Sequence, residues 1–242
     1  MSGASYTGFG DKALPFLKAL GFHQNREWFH DNRDMFEEHL NEPRGRLIDD
    51  LAVRLAQMKI PLTCARKTST FRINRDVRFT KEKHPYNTHV SAVITRSGTK
   101  KDQGLLYVHV SPEDSFLSVG FYSMEPDELR AFRQAIIDRK AEFDAAVLSL
   151  VKLGFVFDRD DALKRTPRGF EAVTDPDTVE LLRLRHLTLS RRFGPERLAG
   201  TALLDDLVEL AQAAQPFLNF GWRAIDPVRA AHDETRRFGA GS

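Results

Sequence analysis

Apolar residues recur along this chain with two different periods, and the change between them sets out its organisation. Up to residue 60 the spacing is helical. Gly10 to Gly21 predicts a first helix, with Asp11 as its cap, Pro15 in its first turn and Gly21 as its stop. Asn25 can cap a second helix, in which Trp28, Phe29, Phe36 and Leu40 form an apolar stripe. Pro43 suits the first turn of a third, where Leu47, Leu51, Leu55 and Met58 follow one another three or four residues apart. Pro61 ends the pattern.

From Ser69 to Ser123 the period falls to two. Thr88 to Thr95 sets Val90, Ala92 and Ile94 against His89, Ser91 and Val93. Leu105 to Ser111 sets Leu106, Val108 and Val110 against Tyr107 and His109, and Ser115 to Ser123 is a third candidate strand. Gly98 and Pro112 fall in the turns between them. Connections this short favour an antiparallel meander, because a parallel crossover needs about a dozen residues or more.

Helical spacing returns at Pro126, with Asp127 and Glu128 in the first turn and Leu129, Phe132, Ile136 and Ile137 as the apolar face. Phe143, Val147, Leu150 and Val151 extend it toward Gly154. Phe155 to Leu163 reads as a short hairpin and Pro167-Arg168-Gly169 as a turn. Further helices are expected around Asp177 to Leu184 and Thr201 to Ala214, with a short strand near Leu187. Helices before and after a central strand cluster predict an α+β fold: a mainly antiparallel sheet packed by N-terminal and C-terminal helices. No internal repeat or linker divides the chain. It is therefore expected to be one domain over residues 1–242, with 1–10 and 236–242 as flexible ends.

Composition narrows the setting. With 41% hydrophobic and 29% charged residues the balance is that of a globular protein. No stretch approaches the roughly 18 consecutive apolar residues of a membrane span, and no secretory signal is visible at the start. The single cysteine, Cys64, excludes an intrachain disulfide and a multi-cysteine zinc site, so a cytoplasmic location is the simplest expectation. The net charge of +2 conceals an uneven distribution. Arg66 to Lys101 holds ten basic residues against Asp76 and Glu82, a net +8, which leaves −6 for the rest of the chain. Such a segment can attract an anion.

Within it lies the run Phe71-Arg72-Ile73-Asn74-Arg75-Asp76-Val77-Arg78-Phe79, followed by Lys81, Lys83 and Pro85-Tyr86. The run resembles the distinguishing segment of the DUF2461 family, in which an Arg-Ile-Asn-Arg-Asp-Val-Arg-Phe sequence leads into a Lys-rich turn and a Pro-Tyr pair. The similarity continues at Asn25-Arg26-Glu27-Trp28-Phe29, at Tyr107-Val108-His109-Val110-Ser111-Pro112 and at Leu163 to Phe170. Glu82, His84 and Asn87 depart from the family pattern, where Asp, a small hydroxyl residue and Lys stand. The resemblance implies an α+β fold and brings with it no established activity, substrate or cofactor.

The residues themselves suggest chemistry. Arg72, Arg75 and Arg78 are three apart, which in a strand throws neighbours onto opposite faces, whereas an irregular turn near Asn74 to Asp76 can bring two guanidinium groups together. Arginine suits bidentate recognition of carboxylate or phosphate, and Lys81 or Lys83 can add charge beside Tyr86. The competing structural reading makes Asp76 the internal partner of these arginines. On the sheet, His89, Tyr107 and His109 are expected on one face, where Ser91, Ser118 and Tyr122 can join them. With Asp76 they are the candidate acid–base groups. No metal site is expected: His84 and His89 are five apart and no paired-cysteine or HExxH pattern accompanies them. The sequence carries no Gly-rich phosphate loop and no Gly-x-Ser-x-Gly elbow, and it identifies no cofactor.

Three functions stay open at this point. The first is a pocket for a small anionic ligand, phosphate or carboxylate bearing, with or without catalysis. The second is a nucleic-acid-binding module, in which Phe71, Phe79 and Tyr86 interleave with the basic residues. The third is a non-catalytic scaffold held by an Arg–Asp cluster.

Overall fold

The computed structural model describes residues 5–76, 78 and 83–239. Its fold is α+β. Helices α1 (Ala13–Phe22), α2 (Arg26–Asp31), α3 (Arg33–Phe36), α4 (Glu42–Gln57) and the single turn α5 (Arg66–Ser69) precede strands β1 (Val90–Thr95), β2 (Leu105–Val110) and β3 (Phe116–Phe121). Then come α6 (Pro126–Asp138), α7 (Lys140–Lys152), β4 (Val156–Phe157), α8 (Pro176–Leu182), β5 (Leu187–Arg192) and α9 (Ala202–Gly239). The strands form one antiparallel sheet of five, in the order β1-β2-β3-β5-β4.

The chain divides into two compact units. One comprises Met1–Asp102, Leu106–Ser118 and Arg191–Gln212; the other comprises Gln103–Leu105, Val119–Ser190 and Ala213–Ser242. In the first, α1 and α4 bury Leu17, Leu20, Leu47, Ile48, Leu51 and Leu55. These are the stripes expected of two amphipathic helices. Asn25 caps α2, its side chain accepting from the Trp28 N–H at 2.8 Å. The first helix differs in detail from the expectation: Lys12, not Asp11, stands at its N-cap, and it runs through Gly21 to Phe22.

In the second unit a cluster of rings forms the core. Phe121 on β3 meets Phe132 on α6 at 5.1 Å between centroids and Phe217 on α9 at 5.9 Å, both edge to face. Glu125 and Glu128 close a capping box at the start of α6. The Phe155–Leu163 hairpin does not form. Instead β4 pairs with β5, Val156 opposite Ser190 and Phe157 opposite Leu189, and Asp158 accepts hydrogen bonds from the hydroxyls of Thr188 (2.7 Å) and Ser190 (2.9 Å). Helix α9 is also far longer than Thr201–Ala214 and carries Pro216 and Pro227 within it. Phe217, Leu218 and Phe220 are fully buried there, so tertiary packing offsets the hydrogen bonds the prolines remove.

Candidate functional site

The site grows from the segment that runs along the outer edge of β1. Thr63 pairs with Thr95 and Thr70 with Ala92, and the Phe71 N–H donates to the Ser91 carbonyl at 3.1 Å. The chain then enters a narrow hairpin. Asn74 pairs with Tyr86, the Arg75 N–H donates to the Pro85 carbonyl at 2.8 Å, and the Asn87 N–H donates to the Ile73 carbonyl at 2.7 Å. Ile73 and Tyr86 are buried and anchor the two arms. A side chain distant in sequence fixes the hairpin: Gln24 donates to the Tyr86 carbonyl at 3.2 Å and accepts from its N–H at 3.1 Å. Phe29 stacks on the Tyr86 ring at 4.3 Å.

This framework borders a cavity of about 660 Å³. Its wall includes the cations Arg26, Arg33, Arg44, Lys67, Arg72 and Lys100, with Glu37 as the carboxylate. Arg44 is the only one of the six that is buried, at 6% exposure. Its Nη1 donates to the Phe71 carbonyl at 2.8 Å and its Nη2 to Asn41 Oδ1 at 2.6 Å. Its Nε has no hydrogen-bond partner among the described residues. Asn41 in turn donates to Glu37 Oε2 at 2.6 Å. Among the described residues no carboxylate lies within ion-pair distance of Arg44, Lys67, Arg72 or Lys100. Burial pulls the Arg44 pKa down to about 10, against the opposing pull of Glu37. Lys100 is lowered too, by burial first and then by Arg44 and Arg72. The Lys100 ammonium sits 4.8 Å above the Phe71 ring.

The edge of that ring leads to the polar face of the sheet. Phe71 meets Tyr107 edge to face at 6.2 Å, and the Tyr107 hydroxyl lies 3.1 Å from His109 Nδ1. His109 packs between His89 (4.2 Å) and Phe116 (4.8 Å). Burial lowers the pKa of both histidines. That of His109 falls to about 4, with His89 adding to the effect and Asp114 opposing it. Both are therefore neutral at pH 7. His89 also borders a second cavity of about 550 Å³, together with Arg75, His84, Tyr86 and Glu113.

The structure thus gathers His89, Tyr107 and His109, and places Ser91 on β1 and Ser118 on β3 as buried residues of the two strands that flank β2. Tyr122 belongs elsewhere, stacked on His186 at 4.2 Å in the second unit. The arginines of the run separate: Arg72 borders the first cavity and Arg75 the second, as spacing by three along an extended segment requires. Arg78 pairs with Asp76 at 2.7 and 3.0 Å in an exposed pair, and this bond holds the Asp76 carboxyl below its usual range. Arg78 and Lys83 are exposed and border neither cavity, while Lys81 lies outside the described residues. No group of three His, Cys, Asp or Glu among the described residues could hold a metal ion.

The residue that sequence reasoning missed is Arg44. A signal for it is present: position 44 falls on the same helix face as Ile48, Leu51 and Leu55, so a cation stands on the buried side of α4. Lys67 and Lys100 lay inside the positive segment but had no motif to single them out. Gly45 leaves room for the Arg66 guanidinium against α4, where a Cβ would come within 2.6 Å of Arg66 Nη1. Arg66 is there paired with Asp49 (2.7 Å) and Glu42 (3.1 Å).

The chain matches the family described as a conserved hypothetical protein, DUF2461, over residues 12–220, and it belongs to that family. Neither the comparison with curated proteins nor that with solved structures finds a match.

Proposed function

We propose that this DUF2461 protein binds a small anionic ligand in the 660 Å³ cavity, with Arg44 as the principal contact and Arg72, Lys67 and Lys100 at its rim. The observation that carries the reading is Arg44, a buried guanidinium surrounded by cations and held by neutral acceptors. Burying a charge with no ion-pair partner is costly on the scale of ion desolvation; Glu37 offsets part of that cost from beyond ion-pair distance, and an incoming anion would offset more. Tyr86, locked by Gln24 and Phe29, serves as a wall of the pocket. His109, Tyr107 and His89 would supply neutral proton donors and acceptors behind Phe71, should the bound ligand undergo acid–base chemistry.

Thermal unfolding in the presence of phosphate, sulfate, citrate and acetate tests the reading. At least one of these should raise the midpoint in the wild type and leave Arg44→Met unmoved. If none moves the wild-type midpoint at millimolar concentration, the reading fails. Tight, steeply salt-dependent binding of single-stranded oligonucleotides, with no small-anion effect, would replace it by the nucleic-acid alternative.

A further inference from the structure

The cavity asks for more than one negative charge. Six cations face it, and the one carboxylate, Glu37, already accepts from Asn41 at 2.6 Å. A ligand with a single anionic group would match Arg44 and leave Arg72 and Lys100 facing each other across the same space. These groups are close enough to feel one another, since Arg44 and Arg72 both act on Lys100.

Arg44 itself is a fixed point. Its two Nη atoms are tied to the Phe71 carbonyl and to Asn41, so the guanidinium cannot swing toward solvent. Asn41 is set by a turn of π-helix, Glu37–Asn41, which joins α3 to α4 and in which the Glu42 N–H reaches back to the Glu37 carbonyl. That wider turn keeps Glu37, Asn41 and Arg44 along one side of the cavity, and π turns of this kind recur at functional sites. Arg72 and Lys100, by contrast, are exposed side chains on the hairpin arm and on the turn after β1. One buried, tethered cation and two exposed ones make a graded site.

We infer that the ligand carries at least two anionic groups, one seated on Arg44 beside Asn41 and another reached by Arg72 and Lys100. This rests on the anion-binding reading above and adds the valence of the ligand. Phosphate and carboxylate share the chemistry, since a guanidinium fork fits both.

Calorimetric titration of the full chain with phosphate, pyrophosphate, acetate and citrate separates the two ideas. The two-group or three-group anion of at least one pair should bind about tenfold or more tighter than its one-group counterpart, because the second group binds from a high effective concentration. Lys100→Gln and Arg72→Gln change exposed side chains. Each should weaken the larger anion about tenfold while changing phosphate or acetate by less than about threefold. Equal affinity within both pairs, or a gap that both variants leave intact, overturns the inference. Single-group binding that Arg44→Met abolishes would in that case still uphold the anion-binding reading. No binding by any of the four overturns both.

Discussion

Two groups of cations in the same unit make opposite use of the same side chain. In the first turns of α9, Asp206 is buried and accepts from Arg197 at 2.7 and 2.6 Å, with Arg191 3.4 Å away. Charge there is matched within the chain, and the arginines hold the helix in place. Around the 660 Å³ cavity, Arg44, Arg72 and Lys100 share one lining; Arg44 donates to neutral acceptors, and Glu37, the carboxylate of that lining, lies beyond ion-pair distance of all three. The difference lies in whether the fold brings a carboxylate within ion-pair distance, and not in the number of arginines. An arginine in direct contact with a carboxylate is held by the fold, whereas one buried beyond ion-pair distance of any carboxylate is where the proposed ligand would act.

The largest test of that contrast is on stability. Asp206→Ala removes the buried carboxylate that Arg191 and Arg197 share, and should lower unfolding free energy by about 3 kcal/mol in urea denaturation with an unchanged slope. Arg44→Met loses two hydrogen bonds but also a buried, unmatched charge, and should change stability by about 1 kcal/mol or less. Equal losses in the two variants would break the comparison and make Arg44 structural as well.

Next in size is the ligand effect. An anion present at a hundred times its dissociation constant stabilises the native state by about 2.7 kcal/mol. This gain should appear in the wild type and be absent in Arg44→Met, as read by the shift in urea midpoint.

A smaller effect concerns pH. His109 faces His89, the Tyr107 hydroxyl and Asp114, and its pKa falls from 6.5 to about 4 on folding, chiefly through burial. Between those values the unfolded chain binds more protons than the folded one. Stability is therefore full above pH 6.5, falls as the pH drops toward about 4, and levels off below. The full shift corresponds to roughly 3 kcal/mol, and because His109 is only part-buried the loss should be about 1–2 kcal/mol; His109→Phe should flatten it in denaturation curves measured across that range. The smallest effect belongs to the exposed pair: Asp76→Asn should leave both the unfolding midpoint and anion binding unchanged. A clear loss of binding in this variant would return Asp76 and Arg78 to the site.

Much of this molecule was legible before any coordinates. The period of two in Leu105–Val110, the cap at Asn25 and the prolines at 43 and 126 are local codes, and the strand and the helix starts they mark stand where expected, although the helix capped by Asn25 ends at Asp31, and Phe36 and Leu40 fall in the next helix and the π turn. The run from Arg72 to Tyr86 identified the family and the neighbourhood of the cavity, and the shared face of His89, Tyr107 and His109 followed from alternation alone. Local rules failed where distant segments decide. β4 pairs with a strand some thirty residues onward instead of folding back on itself, and α9 continues through two prolines because its aromatic residues are buried. The site divides in the same way. Sequence determined how many cations the segment carries and how they alternate. Only the tertiary structure decided that Arg72 and Arg75 part company, that Arg78 keeps Asp76, and that Arg44, some thirty residues earlier, completes the pocket. Pairing of charges depends on distances of a few ångströms between remote positions, and a linear pattern does not contain them.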